Sequence, residues 1–70
     1  SEAFAGALEI SSDCYIEGAI LDKNARINKN TVIKPFPAGT DIDGDGWLVR
    51  DGIVIIPKSG VLPPGTKITP

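Results

Sequence analysis

The chain has 70 residues and a formal net charge of −2, enough for one module and too short for two. Cys14 is its only cysteine and it has no histidine, which excludes an internal disulfide and a Cys/His zinc site. No apolar run approaches the ~18 residues of a membrane span. The opening residues lack the basic and apolar regions of a signal peptide. With no methionine even at position 1, the chain reads as part of something longer. A module this small usually needs staples or neighbours to be stable.

Residues 1–9 read as a connector from a preceding domain, or as a cloning remnant, and residues 10–70 as a repeat domain. Aliphatic residues fall at Ile10, Ile16, Leu21, Ile27 and Ile33, then at Ile56, Leu62 and Ile68. The step is six residues, shortened by one between Ile16 and Leu21. Two positions earlier stand Cys14, Ala19, Ala25, Thr31, Val54, Gly60 and Thr66, with Leu8 in that slot for the first member. Such alternation is a short strand with both residues on one face. Turn triplets separate the strands: Asp22-Lys23-Asn24, Asn28-Lys29-Asn30, Pro57-Lys58-Ser59 and Pro63-Pro64-Gly65, with Glu17-Gly18 as a shortened corner. These residue types tolerate or fix tight backbone turns.

A helix does not fit, because a six-residue step scatters the aliphatic positions round its surface and Pro57, Pro63 and Pro64 break it. A parallel β-helix does fit. Each hexad forms one side of a prism, three hexads form a coil, and hydrogen bonds run between coils. Ala25, Ile27, Thr31, Ile33, Leu62 and Ile68 are expected inside, and Arg26, Lys67 and the turn lysines outside. Hexads 10–33 supply about one and a half coils and hexads 53–68 about one more. The open ends are expected to stack on another part of the chain, on other subunits, or on both.

Segment 34–52 interrupts the repeat. Pro35 and Pro37 stop a ladder, and Gly39, Gly44, Gly46 and Gly52 mark loops, so it reads as an irregular excursion. Phe36 and Trp47 are expected to pin it to the outer wall of the coil. Asp41-Ile42-Asp43-Gly44-Asp45-Gly46 matches the first half of an EF-hand loop. The twelfth position is Gly52, not Glu, and no helical pattern flanks the loop. An acidic, solvated loop tip is the better reading, and no metal site is assigned.

No catalytic constellation is present. Cys14 occupies an inward slot and reads as a small core residue, and no base accompanies Ser11, Ser12 or Ser59. The chain by itself is not read as an enzyme, and no catalytic residue or cofactor is assigned to it. Segment 22–34 carries a local charge of +3 and segment 40–51 one of −3, too weak a basic patch for a nucleic-acid surface. Lys23, Lys29 and Lys58 sit at the middle of turn triplets. Corner lysines are either solubilising groups or an anion site, with exposed turn amides as further donors.

Ala19-Ile20-Leu21-Asp22-Lys23-Asn24-Ala25-Arg26-Ile27 resembles the AIIDKNARIG signature near the C-terminus of the glucose-1-phosphate adenylyltransferase (ADP-glucose pyrophosphorylase) family. Residues Asp51–Lys58 and Leu62–Thr66 are similar to that family's SGIVxVxK and IPxGT tail. The sequence departs from the signature at Asn28, where the family has Gly, and over residues 35–37. The resemblance implies an all-β, left-handed parallel β-helix following a nucleotidyltransferase domain that this chain lacks. It implies a parent enzyme that converts ATP and glucose 1-phosphate to ADP-glucose and diphosphate, with magnesium in its catalytic domain, in glycogen or starch synthesis. The implied partners are that catalytic domain, the other subunits of a homo- or hetero-tetramer, and a phosphorylated activator, with neither nucleic acid nor membrane. The implied location is the cytoplasm, or the plastid in a plant. Lys23 and Lys58 match activator-binding lysines of the family, and Arg26 is their neighbour by spacing. The alternative is a free-standing hexapeptide-repeat interaction module from another sugar nucleotidyltransferase or an acyltransferase-like assembly. The missing histidine argues against its being an acyltransferase itself.

Overall fold

The computed structural model describes residues 8–70; most of the expected connector lies outside them. Among the described residues there are ten short strands and no helix. They are β1 (Glu9–Ile10), β2 (Tyr15–Ile16), β3 (Ala19–Leu21), β4 (Arg26–Ile27), β5 (Val32–Ile33), β6 (Ile42–Asp43), β7 (Leu48–Arg50), β8 (Ile53–Ile56), β9 (Val61–Leu62) and β10 (Lys67–Ile68).

The strands form the three faces of a prism. One face orders β1-β4-β9, the second β2-β5-β10, and the third β3-β8-β7-β6. Pairing within the first two faces, and between β3 and β8, is parallel. Consecutive strands therefore occupy different faces, and each binds strands a full coil away. Glu9 lies opposite Arg26 and Tyr15 opposite Val32, one residue less than three hexads, because the Glu17-Gly18 corner is short. The ladder continues past the strand ends: Ser11 N donates to Ile27 O at 2.8 Å, and Arg26 N to Gly60 O at 2.8 Å.

Corners make this stacking possible. The last residue of each is in the left-handed region: Asp13, Gly18, Asn24, Asn30, Ser59 and Gly65 have φ between 57° and 77°. Asn, Asp and Gly enter that region at low cost, and Ser does so less readily. Side chains lock the corners further. Thr31 Oγ1 donates to Asn28 O at 2.7 Å and Thr66 Oγ1 to Pro63 O at 2.6 Å. The Cys14 thiol donates to Asn28 O at 3.2 Å from the neighbouring coil. Asn28, the departure from the family signature, stitches two coils together: its Nδ2 donates to Leu62 O at 2.8 Å.

The core is the stack of inward residues. Ala25, Ile27, Ile33, Val54, Ile56, Leu62, Ile68 and Thr31 are buried, as the hexad pattern requires, and Cys14 packs against them. Arg26, Lys67, Lys23, Lys29 and Lys58 are exposed.

The excursion leaves the second coil after β5 and returns as β8, as expected. Part of it is more regular than its proline and glycine content indicates. β6 and β7 form an antiparallel hairpin, and β7 pairs antiparallel with β8, so the hairpin extends the third face. Val49 of β7 lies opposite Val54 and is fully buried. Trp47 and Phe36 pack against the core cluster; Trp47, two residues before the inward Val49, does so from the inward side of β7, which corrects its expected outer-wall position. The excursion returns tightly at Gly52. This residue has φ 81°, and a Cβ there would sit 2.5 Å from Phe36 O and 2.7 Å from Pro37 O.

Ile27→Ala removes a side chain from the centre of the stack and is expected to destabilise the domain by roughly 2–5 kcal/mol in urea titrations. Ser59→Asn, matching Asn24 and Asn30, is expected to stabilise it by about 0.5–1 kcal/mol. Thermal melts should register that gain as an upward shift of a few degrees.

Candidate functional site

β3 leads into the corner carrying Lys23 and β8 into the corner carrying Lys58. Leu21 lies opposite Ile56, and beyond the corners Arg26 lies opposite Val61. The two triplets are therefore stacked along one edge of the prism. A direct bond marks the stacking: Ser59 N donates to Lys23 O at 3.0 Å. Lys23 and Lys58 come from positions far apart in the chain and occupy equivalent places in adjacent coils, whose backbones are about 4.8 Å apart in a ladder. Both are exposed.

Arg26 follows the same edge by two residues, outward on the first face. Its Nη1 is 3.9 Å from Glu9 Oε2, and both side chains are about two-thirds exposed. An ion pair that open to water is weak, so the guanidinium remains able to turn toward the edge. Lys29 belongs to a different edge. Its corner stacks on Pro63-Pro64-Gly65, with Gly65 N donating to Lys29 O at 2.9 Å, so no second lysine stands beside it there.

The turn amides contribute less to an anion site than the sequence indicates. Lys23 N donates to Asp22 Oδ1 at 2.7 Å, and Ser59 N is taken by Lys23 O. In the upper corner Asp22 thus folds its carboxylate onto the backbone. Pro57 replaces it in the lower corner, which carries no acidic group. With these two amides engaged, side-chain charge is the larger part of what the edge presents to an anion.

The acidic segment is committed elsewhere. Asp43 Oδ1 pairs with Arg50 Nη2 at 2.7 Å, and this bond raises the Arg50 pKa above its ordinary value. Asp41 Oδ1 accepts from Asp51 N at 2.9 Å, and Asp51 Oδ1 from Gly39 N at 2.6 Å. Among the described residues no three His, Cys, Asp or Glu side chains group as a metal site. On the second face, Tyr15 OH donates to Glu17 Oε1 at 3.0 Å, which holds the phenol pKa above its usual value, and Lys34 Nζ lies 5.6 Å from the ring centre.

Similarity to known proteins agrees with this architecture. Residues 2–67 match the family model described as the GLGC left-handed parallel beta-helix domain. The chain is 38% identical, over 84% of its length, to a glucose-1-phosphate adenylyltransferase small subunit, chloroplastic/amyloplastic, of Triticum aestivum. It spans 13% of that relative's length. With its hexad core, parallel coils and signature residues, the chain belongs to the GLGC left-handed parallel β-helix family, the β-helix domain of glucose-1-phosphate adenylyltransferases.

Proposed function

We propose that this chain is the regulatory and assembly domain of a glucose-1-phosphate adenylyltransferase, which makes ADP-glucose and diphosphate from ATP and glucose 1-phosphate for glycogen or starch synthesis. The chemistry, and the magnesium it uses, belong to a nucleotidyltransferase domain outside this chain. The β-helix binds a phosphorylated activator at the Lys23–Lys58 edge, with Arg26 beside it. The observation that carries this reading is the stacking of the two lysine corners, fixed by the bond from Ser59 N to Lys23 O. One phosphate at the edge meets two ammonium groups on a backbone that is already in place, so little ordering is needed on binding. The activator acts by binding the active arrangement of the enzyme more tightly than the inactive one.

The outer surface supports the assembly role. On the third face Ile20 lies opposite Ile55, and Ile55 opposite Leu48. These make an outward apolar row, with Ile20 53% exposed. The row suits contact with the catalytic domain or with another subunit of a tetramer. Among the described residues no helix is long and apolar enough to cross a membrane. The location follows the source: plastid in a plant, as the wheat relative's description has it, and cytoplasm otherwise.

Activator titration of the full-length enzyme tests the site. Lys23→Ala and Lys58→Ala are each expected to raise the activation midpoint roughly tenfold to a hundredfold, the loss of one charge-assisted bond. Glu at either position is expected to raise it further by repulsion, and Lys29→Ala to leave it in place. Unchanged midpoints for the first two variants, or an equal shift for Lys29→Ala, would reduce the corner lysines to solubilising groups. Assembly is tested separately by Ile20→Asp, which is expected to shift the sedimentation of the full-length enzyme from tetramer to smaller species while the far-UV spectrum is retained. A tetramer that persists would remove the apolar row from the interface.

A further inference from the structure

At the last coil the inward residues Leu62 and Ile68 are 0% and 2% exposed, although no further coil stacks on them among the described residues. The hairpin lies at that end. The last coil supplies a strand to the first face (β9) and one to the second (β10), and the third place is taken by β7, running antiparallel to β8. Val49 fills the inward position beside Val54, and the β7–β8 register, carried one residue further, sets Trp47 opposite Ile56. Trp47 packs against the core cluster and lies across Gly44, where a methyl group would overlap its ring carbons.

We infer that the β6–β7 hairpin is a terminal cap, holding the place of the last coil's third strand and so preventing a second copy of this chain from stacking on that end. β9 and β10 keep free edges among the described residues. A stacked coil has to be continuous across all three faces, however, and on the third it would meet the hairpin. The exposed edge there is β6, only two residues long, with Asp41, Asp43 and Asp45 in and around it. A short, acidic edge is a poor template for further pairing. The acidic run thereby acquires a role that does not require a cation. The outward ion pair of Asp43 with Arg50, and the bond from Arg50 Nη1 to Ile42 O at 3.3 Å, hold β6 against β7. At the base, Gly52 N donates to Thr40 O at 2.9 Å and Phe36 N to Gly52 O at 2.9 Å. With this end capped, copies do not add to it coil on coil, and head-to-tail growth, which has no natural limit, is blocked there.

The bond between Gly52 and Thr40 also shows how to test the cap, because residues 41–51 can be exchanged for a Gly-Gly turn across that closure. The unmodified chain is expected to sediment at a limiting mass that stops rising with concentration. The exchanged chain is expected to grow in mass with concentration and to bind thioflavin T. Gly44→Val, which displaces Trp47 and leaves every coil residue in place, is expected to move in the same direction. A folded exchanged chain that sediments like the unmodified one, or open-ended growth of the unmodified chain, overturns the inference. Hydrogen exchange on the unmodified chain gives a reading that does not depend on the variants folding. Amides shared between β7 and β8 are expected to exchange as slowly as those between β3 and β8. Exchange there as fast as at the outer edges of β9 and β10 overturns the cap.

Discussion

A two-residue strand cannot hold a sheet through its neighbours in sequence, so every strand of the repeat depends on backbone hydrogen bonds to a strand one coil away. That dependence dictates the rest. For the bonds to form, each side of the prism must present its amides in step with the side above it, and each corner must turn the chain within three residues. The left-handed residue at the end of every corner accomplishes the turn. The aliphatic stack then fills the space enclosed. Burial supplies the free energy, but the corners decide whether the aliphatic residues face each other at all.

The same dependence turns periodicity into a binding surface. Equivalent residues of successive coils lie above one another, so a lysine at the middle of two corners becomes a pair of lysines on one edge. The excursion does not spoil this registry. It is inserted between the second and third sides of the middle coil, and Ala19 still lies opposite Val54. Lys29, like Lys23, is the middle residue of a turn triplet ending in Asn, yet it acquires no basic neighbour, because the corner below it is Pro63-Pro64-Gly65. Composition of a single hexad therefore says little about a site. The stacking partner decides it.

The hexads were legible in the sequence for a simple reason: inward position and small size recur at a fixed spacing, and that spacing survives without any knowledge of tertiary contacts. The stacking of Lys23 on Lys58 was within reach too, once the number of sides per coil was accepted, although what pointed to those residues was resemblance to the family signature rather than edge geometry. The hairpin was less visible. Pro35, Pro37 and four glycines advertise a loop, and Leu48-Val49-Arg50 is too short to declare itself a strand until β8 offers it an edge. Trp47 was misplaced because its partner, Ile56, is found only through that antiparallel register. The turn amides were overcounted as donors because Asp22 bonds the amide of the residue after it, a local competition that residue type alone does not resolve.

The lysine edge and the hairpin meet in β8, the longest strand of the structure at four residues. β8 takes hydrogen bonds from β3 on one side and β7 on the other, and runs directly into the corner of Lys58. This placement answers a physical difficulty. Two ammonium groups stacked on one edge repel, and a lightly bonded corner could relax by opening. A strand bonded on both sides resists that relaxation and holds the charges in position before any ligand arrives. An anion that joins the two lysines removes the repulsion and adds bonds of its own, so its binding also stabilises the coils that carry them. The hairpin, at the far side of β8 from the first coil, thus bears on the anion edge as well as on the end of the prism. Loosening it withdraws support from the strand on which Lys58 depends.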